Sequence, residues 1–89
     1  MDSYDKFAED MIKRNPLLNR FSDTIAEEDR FELALMATNL DSSLFENERA
    51  VFRTESDDDY INDAYNNGKV FKKTLHMPSG NRYRIEIAG

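Results

Sequence analysis

The sequence predicts an α+β domain in which a small antiparallel sheet, a C-terminal β-hairpin plus a third strand, packs against two to three helices. Three observations carry this expectation. Residues 3–14 repeat apolar side chains with a helical period. Residues 69–77 and 81–87 alternate apolar and polar side chains on either side of Pro78-Ser79-Gly80. Both apolar patterns are buried together if the helices lie on the apolar face of the sheet. With 89 residues and 10.4 kDa, the chain is expected to form one domain, 1–89.

The first helix is expected over residues 3–14. Ser3 is read as its N-cap, and Tyr4, Phe7, Ala8, Met11 and Ile12 share one face. Lys13 and Arg14 suit the negative end of the helix, and Asn15-Pro16 ends it. Leu17, Leu18 and Phe21 follow as an apolar link with one helical turn starting at Pro16. Thr24-Ile25-Ala26-Glu27 fits a capping box that opens a second helix. Phe31, Leu33, Ala34, Leu35, Met36, Ala37 and Leu40 give that helix a wide apolar surface, and Asp41-Ser42-Ser43 ends it.

Residues 44–55 are ambiguous. Leu44 and Phe45 can continue a helix, whereas 49–54 alternates, with Ala50 and Phe52 on one side and Arg49, Val51 and Arg53 on the other; this stretch is read as a strand. Ser56 to Asp59 reads as a helix start with three carboxylates at the positive end of the dipole. Tyr60, Ile61, Ala64 and Tyr65 then share a face, and Asn67-Gly68 supplies a left-handed stop.

The hairpin is the clearest element. Proline at the first turn position and glycine at the left-handed one fit a three-residue loop. Pairing Met77 with Asn81 sets Leu75 opposite Tyr83, Lys73 opposite Ile85 and Phe71 opposite Ile87 on the apolar face. His76–Arg82, Thr74–Arg84 and Lys72–Glu86 then occupy the other, mostly basic face. Lys73 is the misfit on the apolar side, where it is expected to snorkel to the sheet edge.

Charge bounds the function. Twelve Lys and Arg against eighteen Asp and Glu give a net charge of −6. Residues 1–66, an acidic and mainly helical body, carry −10, and residues 67–89, a basic hairpin, carry +4. So acidic a chain is repelled by nucleic acid and anionic membranes unless a local patch dominates. No apolar run approaches the roughly eighteen residues of a membrane span. The N-terminus Met1-Asp2-Ser3-Tyr4-Asp5 lacks the basic start of an export signal, so a cytoplasmic location is expected.

The chain has no cysteine and one histidine. That excludes thiolate nucleophiles, disulfides, zinc–thiolate sites and any metal site needing two histidines. His76 has no orienting carboxylate beside it in sequence, and a chain this short seldom forms a cleft that retunes a carboxyl group. No enzymatic activity and no cofactor are expected. Asp57-Asp58-Asp59 with Asp63 resembles a cation site only superficially: it lacks the alternating spacing and central glycine of a calcium loop, and no metal is expected there.

Three functional expectations remain. In the first, Glu27, Glu28, Asp29, Asp57, Asp58, Asp59 and Asp63 form an acidic surface that covers a cationic site on a nucleic-acid-handling protein. Spaced carboxylates can imitate duplex DNA, which carries about one charge per 1.7 Å of axis. In size, charge and lack of cysteine the chain is similar to small acidic inhibitors of phages and other mobile elements. The competing reading is an ordinary solvated surface. In the second, Lys69, Lys72, His76, Arg82 and Arg84 on the hairpin contact nucleic acid. In the third, the basic face meets the acidic body of a second copy in a structural homodimer. Separately, the stripe Tyr4, Phe7, Met11 and Ile12 could enter a partner's groove, although such a stripe more often forms core.

Overall fold

A computed structural model describes residues 2–65 and 68–88, apart from the side chains of residues 60, 62, 64, 65, 69 and 70. The architecture is α+β. Among the described residues five α-helices run α1 (Ser3–Arg14), α2 (Pro16–Arg20), α3 (Arg30–Ala37), α4 (Ser42–Glu46) and α5 (Asp57–Tyr65), with three strands β1 (Ala50–Thr54), β2 (Lys69–His76) and β3 (Arg82–Ala88). The sheet order is β1-β3-β2, all antiparallel, so the last strand is the central one.

The hairpin register is the one expected, from His76–Arg82 through Leu75–Tyr83 to Phe71–Ile87. Met77 donates its amide to Asn81, and Gly80 takes φ of 96°, a left-handed conformation that glycine adopts without a steric cost. An irregularity between Lys69 and Phe71 is the one departure and brings Lys69 opposite Ala88. The strand expected at 49–54 forms as β1 and pairs with β3, Phe52 opposite Ile85.

Alternation along the strands sorts the side chains into two layers. Phe52, Leu75, Tyr83 and Ile85 point inward and are buried with Ile12, Leu17, Leu18, Leu33 and Phe45 of the helices. The rings of Phe52 and Tyr83 stack at 5.3 Å. Lys73, on the inward parity, is exposed on edge strand β2 and lies beside Met36 and Leu40.

Three local expectations are corrected. Asp2, not Ser3, caps α1: its carboxylate accepts the Asp5 amide at 2.8 Å, and an anion there also complements the helix dipole. The capping box at Thr24 does not form. Ser22–Thr24 and Glu27–Asp29 are 3-10 turns, and the helix begins only at Arg30. The Thr24 hydroxyl donates back to the Phe21 carbonyl, a local bond, and the Ala26 amide donates to the distant Tyr83 hydroxyl, so both groups are engaged outside a cap. Beyond α3, Ser42–Glu46 forms a separate short helix, with the Asp41 carboxylate accepting the Ser43 amide. The proposed stop at Asn67, and the shared face of Tyr60, Ala64 and Tyr65, lie outside the described residues.

Candidate functional site

Most outward residues of the sheet are charged, and α5 pairs with those at its centre. Arg84 stands on the central strand with its side chain 3% exposed. Its guanidinium forks onto Asp63 of α5 at 3.0 and 2.7 Å, donates through Nε to Glu55 at 3.1 Å, and reaches Glu86 at 3.2 Å. Arg53 on β1 forks onto Asp59 at 2.9 and 2.7 Å and contacts Glu86 at 2.6 Å. Lys72 donates to Asp63, and Arg82 to Asp57. Bidentate arginine–carboxylate pairs combine charge with a fixed planar geometry.

Local sequence prepares this arrangement. Asp59 and Asp63 are four residues apart and therefore share one face of α5. Asp59 also accepts the Ser56 amide and so caps its own helix. Strand alternation places Arg53 and Arg84 opposite each other on the outward side. The electrostatic result is mutual. Hydrogen bonds from Arg53 hold the Asp59 carboxyl well below the usual range against the opposing effect of burial, and Arg84 and Lys72 do the same for Asp63. Burial alone pushes Glu55 up, but donors from Thr74 and Arg84 outweigh it and leave the group lowered. The Arg84 guanidinium is raised, chiefly by its bond to Asp63. Carboxyl groups held ionised accept hydrogen bonds and attract cations; they are poor proton donors near neutrality.

Several sequence-derived site residues are thus redistributed. Arg84, expected on an exposed basic face, is buried and paired, because α5 folds over that face. Lys72 is exposed but bound to Asp63, Arg82 is half-buried against Asp57, and His76 is exposed beside Lys73 and Thr74. The Lys69 side chain lies outside the described residues. On the acidic side, Asp59 is buried and Asp63 half-buried within the ion network, so neither belongs to an open anionic surface. Asp57 and Asp58 are exposed at the start of α5.

Asp29 is also corrected: it is 1% exposed, not a surface residue. Its carboxylate accepts hydrogen bonds from the Tyr83 hydroxyl at 2.6 Å, the Asn81 amide group at 2.7 Å and the Ser79 hydroxyl. Burial opposes the charge, yet these three donors together hold the group below its ordinary value. Asp29 therefore fastens the 3-10 turn before α3 to the hairpin loop. Its neighbours Glu27 and Glu28 remain exposed. Glu27 lies 3.3 Å from Arg30, which also meets Glu9, and Glu28 accepts from Asn81. Asp5, Glu9, Glu27 and Glu28 line one shallow depression around Arg30 and Phe31.

A second depression adjoins it at Phe31, formed by Ser3, Tyr4, Phe7 and Leu35. Of the stripe noted on α1, Ile12 is buried and Met11 and Phe7 are half-buried, while Tyr4 is 65% exposed. Tyr4 and Phe7 both meet Phe31 edge-to-face, at 5.2 and 5.8 Å. The contact between this stripe and Phe31 is long-range; in sequence its signal is the surplus width of the α3 apolar surface.

Among the described residues no group of three or more His, Asp or Glu is arranged to hold a metal ion, and no helix is long and apolar enough to cross a membrane. Comparison with known protein families, with curated proteins and with solved structures finds no match.

Proposed function

We propose that this chain works by binding, not by making or breaking bonds: it is a protein-binding module that offers an anionic surface to a cationic site on another protein. Its sharpest form is an inhibitor that covers a basic, nucleic-acid-handling site. The observation that carries this reading is the uneven use of charge. On the sheet, Arg53, Lys72, Arg82 and Arg84 are engaged by carboxylates of their own chain; Lys6, Lys13, Arg14, Arg49 and Lys73 are exposed, but so are Asp5, Glu27, Glu28 and Asp58, together with Asp57 on Arg82, in a molecule of net charge −6. Such a surface steers cationic partners and repels nucleic acid. The reading that uses the hairpin to grip nucleic acid loses its best cation in Arg84.

The test begins with partner isolation at low salt and identification of what is retained. Association rates are then measured across ionic strength for the unaltered protein and for the variant Glu27→Gln/Glu28→Gln/Asp57→Asn/Asp58→Asn. The reading expects a basic partner, and an association rate at least about tenfold lower after neutralisation or at high salt. A partner without a cationic surface, or a rate indifferent to both changes, overturns it.

A further inference from the structure

We infer that the adjoining depressions between α1 and α3 form one docking groove for a basic amphipathic segment of a partner protein, its apolar anchor on Tyr4, Phe31 and Leu35 and its lysines or arginines against Asp5, Glu27 and Glu28. The inference rests on the anionic binding surface proposed above and adds its position and the chemistry of what occupies it.

The apolar half is not accounted for by folding. Ala8 and Ile12 already bury the inner side of α1. Tyr4 and Leu35 nevertheless remain 65% and 42% exposed, in one depression with the half-buried Phe31. Single exposed apolar residues need no explanation, but adjoining ones around a depression mark a contact surface. Edge-to-face packing of Tyr4 and Phe7 on Phe31 pre-orders the aromatic wall, so less side-chain entropy is lost when an anchor seats there.

The charged half selects the occupant. Phe31 lines both depressions, so the apolar wall passes directly into the acidic one. There Asp5, Glu9, Glu27 and Glu28 outnumber Arg30, which is already engaged by Glu9 and Glu27. A second copy of this chain, itself at −6, is disfavoured there by net repulsion, and so is an anionic lipid surface. A segment with a bulky apolar side chain next to lysines or arginines satisfies both halves.

The test uses three short fluorescein-labelled peptides: a leucine–lysine amphipathic one, a version with serine for leucine, and a version with glutamate for lysine. Anisotropy gives affinity, and amide chemical shifts of the labelled full chain give location. The first peptide is expected to bind with shifts centred on Tyr4, Phe31, Glu27 and Glu28, and each control to bind at least about tenfold more weakly. Tyr4→Ser and Leu35→Ser alter largely exposed side chains, are expected to lower the melting temperature by only a few degrees, about 3–5 °C, while the chain stays folded at the assay temperature, and each is expected to weaken the first peptide by about tenfold. Equal binding of the serine version, or shifts located elsewhere, overturns the groove. Self-association abolished by Leu35→Ser would assign the face to a second copy and also overturn it. If a natural partner's association is salt-sensitive but unmoved by Tyr4→Ser and Leu35→Ser, the groove fails while the anionic binding reading stands.

Discussion

The two faces of this sheet are made from the same three strands with opposite chemistry. Phe52, Leu75, Tyr83 and Ile85 point one way into an apolar layer; Arg53, Lys72, Arg84 and Glu86 point the other way into an ionic one. The apolar face gains from area removed from water, a non-directional effect largely indifferent to pH and salt. The ionic face gains only through matched geometry. Removing an arginine from water costs several kcal/mol, and precise carboxylate partners must offset it. The two faces therefore fail differently: the inner one by loss of volume, the outer one by loss of a partner.

The inner face should break hardest. Phe52→Ala removes a fully buried ring that stacks on Tyr83 and is expected to cost about 3–5 kcal/mol, read by denaturant unfolding. A loss under about 1 kcal/mol would show that Phe52 is not central to the core. On the outer face, Arg84→Met is expected to cost about 3 kcal/mol, because Asp63, Glu55 and Glu86 lose their shared cation. Replacing Asp63 by leucine in the same chain should return part of that loss. Full additivity of the two substitutions would contradict the coupling.

Acidification reaches the same face gradually. Asp59 and Asp63 bind protons less readily folded than unfolded, since their folded values are depressed. Stability from them is therefore present above the ordinary carboxylate range, near about pH 4, and drains away as pH falls below it. Unfolding curves should coincide from neutral pH down to about 5 and then weaken, and the decline should be shallower in Arg84→Met. Asp29→Asn keeps the shape but removes the anion that gathers Ser79, Asn81 and Tyr83. It is expected to cost about 2 kcal/mol in the same denaturant assay. Least of all, Glu27→Gln/Glu28→Gln should move stability by no more than about 0.5 kcal/mol, which separates binding from folding at that rim.

What was legible in the sequence follows the range of the forces involved. The hairpin register from Phe71 to His76 was readable because alternation, Pro78 and Gly80 are local instructions. The helical period of α1 was equally plain. The 3-10 turns before α3 were not, because Asp29 is drawn inward by Ser79, Asn81 and Tyr83, some fifty residues later. Segment charge also misled. An acidic body and a basic hairpin look like two surfaces when counted along the chain, yet folding lays Asp59 and Asp63 onto Arg53 and Arg84, the second pair joining body to hairpin. The i,i+4 spacing of those two aspartates and the outward parity of the two arginines were present to be read; only the path of α5 across the sheet joins them. The apolar seam at Phe31 was hidden because helical stripes in sequence look the same whether buried or left open.

The central claim is that the sheet's arginines are engaged within the chain, leaving carboxylates to face partners. Side-chain NMR of the arginine guanidinium groups tests it most directly. Arg84 and Arg53 should show separate, slowly exchanging Nη signals that do not move when duplex DNA is added at low salt. Averaged signals like those of exposed Arg14, or shifts of Arg84 on adding DNA, would contradict the claim.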